Sequence, residues 1–245
     1  MLYMHGGGLV MGTVDYADAQ CTEIAREVGC VVASVDYRLA PENPYPVPLE
    51  DCYSALMWLH SQCAGLELNA ERIAAGGTSA GGGLAAALAL LARDRGQLAV
   101  AFQFLEAPML DHRTGREPDD GCLDAGVWPV EANTFGWKAY LGNDEAPPGP
   151  YASPALESNL TDLPPAYICV SSNDLFLEEA TDYGLRLLDG GVPVELHVYP
   201  GGFHGSARAV PDHPLSRRWR MDSIAALHAS LNEPNSHLTD NGDLS

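Results

Sequence analysis

The amino-acid sequence predicts an α/β fold, with a mostly parallel central sheet covered by helices on both faces. Three observations predict it. Short apolar runs alternate with longer amphipathic stretches, and the segments richest in glycine, serine and histidine sit directly after those runs. The composition, 46% hydrophobic against 19% Asp, Glu, Lys and Arg in 245 residues, supplies the side chains for a sizeable core.

Taken in order, Met1 to Met4 reads as the first strand, and Asp15 as the N-cap of a helix through Val28 that Gly29 stops. Cys30 to Val35 is the second strand. A helix follows over Val47 to Cys63, beginning near Pro48. Arg72 to Ala75 is the third strand, succeeded by a glycine-rich turn and an alanine-rich helix from Ala80 to Arg95. After the fourth run, Ala101 to Leu105, the rhythm breaks. Residues 110–150 are polar and rich in Gly and Pro, with one helix-like stretch from Val130 to Leu141, and read as an insertion over the sheet, a small cap. Strands at Ala166 to Ser171 and Val194 to Tyr199, with helices at Glu178 to Leu188 and Ser216 to Leu231, complete the pattern. Residues 1–231 are thus expected to form one domain, and 232–245 a disordered tail.

Charge and cysteines narrow the function. Thirteen Lys and Arg against 33 Asp and Glu leave a formal charge of −20, which repels phosphate backbones and anionic lipid surfaces, so neither nucleic acid nor membrane is an expected partner. Six cysteines (21, 30, 52, 63, 122 and 169) stand singly without a C-x-x-C pair, a spacing suited neither to zinc nor to redox exchange. No apolar run approaches the roughly 18 residues of a membrane span, and no charged-then-apolar leader opens the chain. A cytoplasmic protein is expected.

The chemistry-bearing segments lie at the strand ends. Gly77-Thr78-Ser79-Ala80-Gly81 is a G-x-S-x-G elbow between a strand and a helix, where small neighbours let the serine occupy a strained turn with its hydroxyl raised above the sheet. Ala80 there offers its backbone N–H. His5-Gly6-Gly7-Gly8 follows the first strand, and its glycines allow the N–H groups of Gly6 and Gly7 to point into one small volume, as an oxyanion hole requires. His5 itself is read as a structural hydrogen-bonder of that loop. A nucleophilic serine needs a base and an orienting carboxylate, in this fold in the chain order Ser, Asp or Glu, His. Asp174 follows the fifth run and His204 the sixth, at the carboxyl ends where open sheets place their sites, with Glu178 as a rival to Asp174. The remaining histidines considered (60, 197, 213, 228 and 237) fall within elements or loose segments and read as packing or surface residues.

Together, His5-Gly-Gly-Gly, Asp36-Tyr37-Arg38-Leu39-Ala40-Pro41-Glu42, Gly77-Thr-Ser-Ala-Gly-Gly, Asp174 and Phe203-His204-Gly205 resemble the bacterial hormone-sensitive-lipase family of α/β-hydrolases, in its GTSAGG branch. The resemblance runs nearly to Leu231. It implies an α/β-hydrolase fold and hydrolysis of short-chain carboxylic esters without metal or organic cofactor. It also implies Ser79 as nucleophile, His204 as base, Asp174 as its partner, and Gly6, Gly7 and Ala80 as oxyanion donors. Two departures stand out. The acid loop reads Asp174-Leu175-Phe176 where the family usually has Asp-Pro-Leu, and only Met1 to Met4 precede a loop that family members reach after a longer N-terminal segment. The second departure leads to the expectation of an exposed sheet edge and a weakly anchored oxyanion loop. An amidase or deacetylase acting on arylamides uses the same parts, and a catalytically impaired binding protein is the reading from a different class. Trp128, Phe135, Trp137 and Tyr140 of the insertion are candidates for packing or for lining a substrate pocket, and the last strand's edge suggests a homodimer.

Overall fold

The computed structural model describes residues 1–115, 127–142 and 148–232. Six strands form one sheet: β1 (Leu2–Met4), β2 (Ala33–Val35), β3 (Ala74–Thr78), β4 (Phe102–Glu106), β5 (Ala166–Asn173) and β6 (Val194–Phe203). Their order is β2-β1-β3-β4-β5-β6, every neighbouring pair is parallel, and β2 and β6 are the edges. Parallel strands need crossovers, which are supplied by helices α1 (Val14–Ile24), α2 (Val47–Gln62), α3 (Ala80–Arg95), α4 (Val130–Leu141) and α5 (Leu177–Asp189). A one-turn α6 (Ser206–Ala209) and the long α7 (Pro214–Asn232) follow the last strand.

Side-chain alternation along the strands fills two cores. On one face Leu2, Met4, Ala75, Leu105, Ile168 and Val170 pack under α2, α3 and α5. On the other, Tyr3, Ala74, Phe104, Tyr167 and Cys169 meet α1 and α7 through Ile24, Trp219 and Leu227. The period of two is what a strand buried on both faces imposes on its side chains. Helix α3 is buried from Ala80 to Ala92, and its small residues let it sit against the backbone of β1.

The boundaries differ from the sequence expectation in instructive ways. Thr13, not Asp15, holds the N-cap of α1, and Asp15 sits in its first turn, where a carboxylate complements the helix N-terminus. The helical turns end at Ile24 and a single π-helical turn, Ala25–Gly29, completes the span, with Gly29 at φ +71°. β3 runs beyond Ala75 through Thr78, and β5 and β6 run on to Asn173 and Phe203 with a register irregularity between Ser171 and Asn173. α7 starts at Pro214 and takes in Asn232. Residues 233–245, 116–126 and 143–147, and with them Cys122, His237, the rest of the expected tail and parts of the insertion, lie outside the described residues.

Candidate active site

Because all six strands run in one direction, their carboxyl ends share one edge of the sheet. His5 follows β1, Ser79 follows β3, Asp174 follows β5 and His204 follows β6. Ser79 is the N-cap of α3 at φ 59° and ψ −121°, a left-handed conformation that an L-residue adopts only when its surroundings hold it. Gly77 and Gly81 make this possible, since a Cβ on either would stand 2.2 or 2.0 Å from the Met4 carbonyl oxygen.

Three side chains converge there. His204 Nε2 lies 3.0 Å from Ser79 Oγ, and His204 Nδ1 lies 3.0 and 3.1 Å from the two oxygens of Asp174. With Nδ1–H donating to the carboxylate, Nε2 carries the lone pair and accepts from the serine hydroxyl. All three residues are buried, at 5% exposure for Ser79, 7% for Asp174 and 9% for His204, so their interactions are little diluted by water. Asp174 Oδ1 also accepts from the Phe176 N–H at 3.0 Å, and the Phe176 ring meets His204 edge-on with centroids 5.1 Å apart. The Leu175-Phe176 departure is thereby accommodated: Phe176 is fully buried and braces the imidazole. The rival Glu178 is exposed in the first turn of α5 and has no part in the cluster.

Opposite the hydroxyl stands the loop from His5 to Gly8. A Cβ on Gly6 would come within 3.0 Å of Thr78 O and 3.4 Å of Ser79 Cβ, so its backbone lies directly against the elbow. His5 Nδ1 is 2.8 Å from Gly6 O, which makes Nδ1–H the donor and fixes the plane of the Gly6–Gly7 peptide, with the Gly7 N–H on the other side from His5. The ring stacks on Tyr37 with centroids 4.3 Å apart, and the Tyr37 hydroxyl donates to His5 O at 2.7 Å. Burial pushes the His5 imidazole below its ordinary pKa, which keeps it neutral in this bracing role.

The insertion supplies a wall. Trp128 packs where a Gly8 Cβ would be, 2.0 Å from the ring, and Gly136 of α4 lies so close to Gly8 that a side chain there would stand 2.6 Å from its carbonyl oxygen. Val127 reaches the other flank, 3.7 Å from the Cβ position of Gly205. Trp137 and Tyr140 are core residues, whereas Phe135 is 59% exposed. Two buried carboxylates were not anticipated: Glu106 at the end of β4, and Glu179, whose oxygens accept from Leu110 N (2.7 Å) and Thr114 Oγ1. Of the other histidines, His60 and His228 lie in α2 and α7, His197 in β6 pairs with Glu195 at 2.7 Å, and His213 accepts from Leu215 N before α7. Among the described residues no group of three His, Cys, Asp or Glu side chains is arranged to hold a metal ion.

Comparison with known proteins agrees with this architecture. Residues 1–208 match a family model described as an alpha/beta hydrolase fold. The chain is 40% identical over 220 residues to an esterase, LipI, of Mycobacterium tuberculosis, covering 86% of this chain and 67% of the relative. It is 31% identical to an arylesterase of Saccharolobus solfataricus, over 83% of this chain and 67% of that protein. A solved structure titled bacterial heroin esterase superposes with a TM-score of 0.89 at 43% identity, covering 94% of this chain and 74% of that one. The chain therefore spans about two thirds of the length of these curated relatives.

Proposed function

This chain belongs to the α/β-hydrolase family, among its hormone-sensitive-lipase-type carboxylesterases, and from that premise we propose that it cleaves short-chain carboxylic esters through an acyl-enzyme on Ser79. The observation that carries the proposal is the continuous hydrogen-bonded path from Ser79 Oγ through His204 to Asp174. His204 Nε2 takes the hydroxyl proton as Oγ attacks the ester carbonyl, and Asp174 holds the tautomer and stabilises the imidazolium that forms. The carbonyl oxygen gathers negative charge against the N–H groups of Gly6, Gly7 and Ala80. The last of these opens α3, so the helix dipole adds to the stabilisation. His204 then returns its proton to the departing alcohol, and a water activated by the same nitrogen releases the acid.

The ester reading is favoured over the arylamide one by relatives whose names describe ester cleavage, an ethyl acetate hydrolase of Pseudomonas putida at 34% identity among them. Rates on a matched acetate ester and anilide separate the two. The five described cysteines are free thiols, which supports a cytoplasmic setting. No helix of the described residues is long and apolar enough to cross a membrane. The open edge of β6 supports a two-fold dimer that size-exclusion chromatography with light scattering would detect.

The nucleophile is tested by incubating the chain with a small alkyl fluorophosphonate and taking an intact mass beside Ser79→Ala. One adduct that vanishes in the variant is expected, and an adduct that persists in it refutes the assignment.

A further inference from the structure

We propose that Glu106 is the positioning residue of the nucleophile elbow, a buried carboxylate beneath Ser79 that ties together three of the four segments of the site: the elbow and the helices that follow the oxyanion and His204 loops. The inference rests on Ser79 being the nucleophile. Glu106 ends β4 at 3% exposure, and none of the ion pairs among the described residues includes it. It is held instead by four neutral donors. Oε1 accepts from Trp219 Nε1 at 2.8 Å and Ser223 Oγ at 3.1 Å, and Oε2 accepts from Thr78 Oγ1 at 2.9 Å and from Gln20 Nε2. Both lone-pair sets of the carboxylate are thereby used without a counter-cation.

The origin of the donors gives the residue its role. Gln20 belongs to α1, which follows the oxyanion loop; Thr78 immediately precedes Ser79; Trp219 and Ser223 belong to α7, which follows the His204 loop through α6. The Tyr3 hydroxyl from β1 donates to Gln20 Oε1 at 2.8 Å and lies 2.9 Å from Thr78 Oγ1, closing the network. Glu106 grips the elbow a second time through its backbone, since Ser79 N–H donates to Glu106 O at 2.8 Å. A serine at φ 59° needs such external hold.

This arrangement makes position 78 sensitive to charge. An aspartate there would set a second carboxylate at hydrogen-bond distance from Glu106, and two such groups coexist only by sharing a proton. The titratable groups facing the network are Tyr3 on β1, Cys21 on α1 and Tyr167 and Cys169 on β5, each kept protonated by burial, while Arg208 on α6 brings a positive charge toward Tyr3.

The test compares Glu106→Gln, Thr78→Asp, the double variant and Thr78→Val. It reads pH profiles of kcat and KM on p-nitrophenyl acetate, fluorophosphonate labelling rates and circular-dichroism melts. In Glu106→Gln the amide oxygen still serves Trp219 and Ser223 but an NH2 faces Thr78 and Gln20, so kcat falls about tenfold or more while KM stays within about twofold. Thr78→Asp loses activity progressively as pH rises and the shared proton leaves. The double variant carries one charge and recovers that alkaline limb. Wild-type kcat in Glu106→Gln, or a folded double variant no more active than Thr78→Asp at alkaline pH, overturns the proposal. Where the Glu106 variants do not fold, near-isosteric Thr78→Val decides by removing one donor alone, and wild-type kcat there also overturns it. Ser79→Ala in the same assay separates the two levels: turnover that survives it sinks the nucleophile assignment rather than the role of Glu106.

Discussion

Gly81→Ala sets two physical effects against each other. Gly81 lies in the first turn of α3, and replacing a helical glycine by alanine ordinarily gains about 1 kcal/mol in helix propensity. A Cβ built at this position, however, stands 2.0 Å from the Met4 carbonyl oxygen and 2.7 Å from that of His5, where real Cβ contacts stop near 3.0 Å. Both neighbours are backbone, so no side chain can swing aside and the end of β1 must retreat by about 1 Å. Overpacking of this kind costs about 1–3 kcal/mol, which cancels or exceeds the propensity gain. The displaced residues lead directly into the His5 to Gly8 loop, and misplacing catalytic geometry by about 1 Å costs about 10²-fold in rate. Gly81→Ala is therefore expected to lower kcat/KM on a short ester about 100-fold with a melting temperature unchanged or reduced. Gly96→Ala is the matched control at the other end of the same helix. Its φ of +62° makes alanine strained by about 1–2 kcal/mol, but nothing lies within 4 Å and the site is distant, so stability drops while kcat/KM holds. An alanine at 81 that raises the melting temperature and keeps wild-type kcat/KM would refute the reasoning.

Two further outcomes follow from the buried carboxyl groups. Asp174→Asn turns an NH2 toward His204 Nδ1 and favours the wrong tautomer, so kcat on a short ester should fall about 10³–10⁴-fold with KM little changed; a loss below tenfold speaks against the assigned role. Burial pushes the Glu179 carboxyl well above its ordinary 4.5, so the folded protein binds that proton more tightly than the unfolded chain. Its contribution to stability is complete below that ordinary value and is lost as pH rises through the elevated one. Glu179→Gln carries no such charge, so its melting temperature relative to the parent should rise steadily from mildly acidic to alkaline pH; parallel melting curves across that range would contradict this.

Much of the architecture was legible because burial on both faces of a parallel sheet writes itself as short apolar runs. The strand ends were harder to read. Gly76, Gly77 and Thr78 carry no apolar signal, yet they extend β3 because the ladder to β4 continues to Thr78 opposite Glu106. The ends of β5 and β6, Ser171 to Asn173 and Pro200 to Phe203, likewise lack an apolar run, yet after a register irregularity they pair again at Asn173 opposite Phe203 and so hold the Asp174 and His204 loops side by side. Ser79, Asp174 and His204 could be named from short segments, since each sits in a local pattern with a chemical reason. Glu106 could not. Its partners lie 28 to 117 residues away, and an isolated Glu in a sequence is ordinarily a surface residue. Asp15 illustrates the opposite error, a good capping residue displaced to the first turn because Thr13 already ends the extended loop.

Val127 and Trp128 span from Gly205 to Gly8 without belonging to any strand of the sheet. The converging Ser79, His204 and Asp174 and the side chains laid over the loops around them are thus carried by separate stretches of polypeptide, one laddered into the sheet and the other lying across it. The overlying stretch can therefore be rewritten by selection or engineering while the hydrogen bonds among Ser79, His204 and Asp174 stay intact.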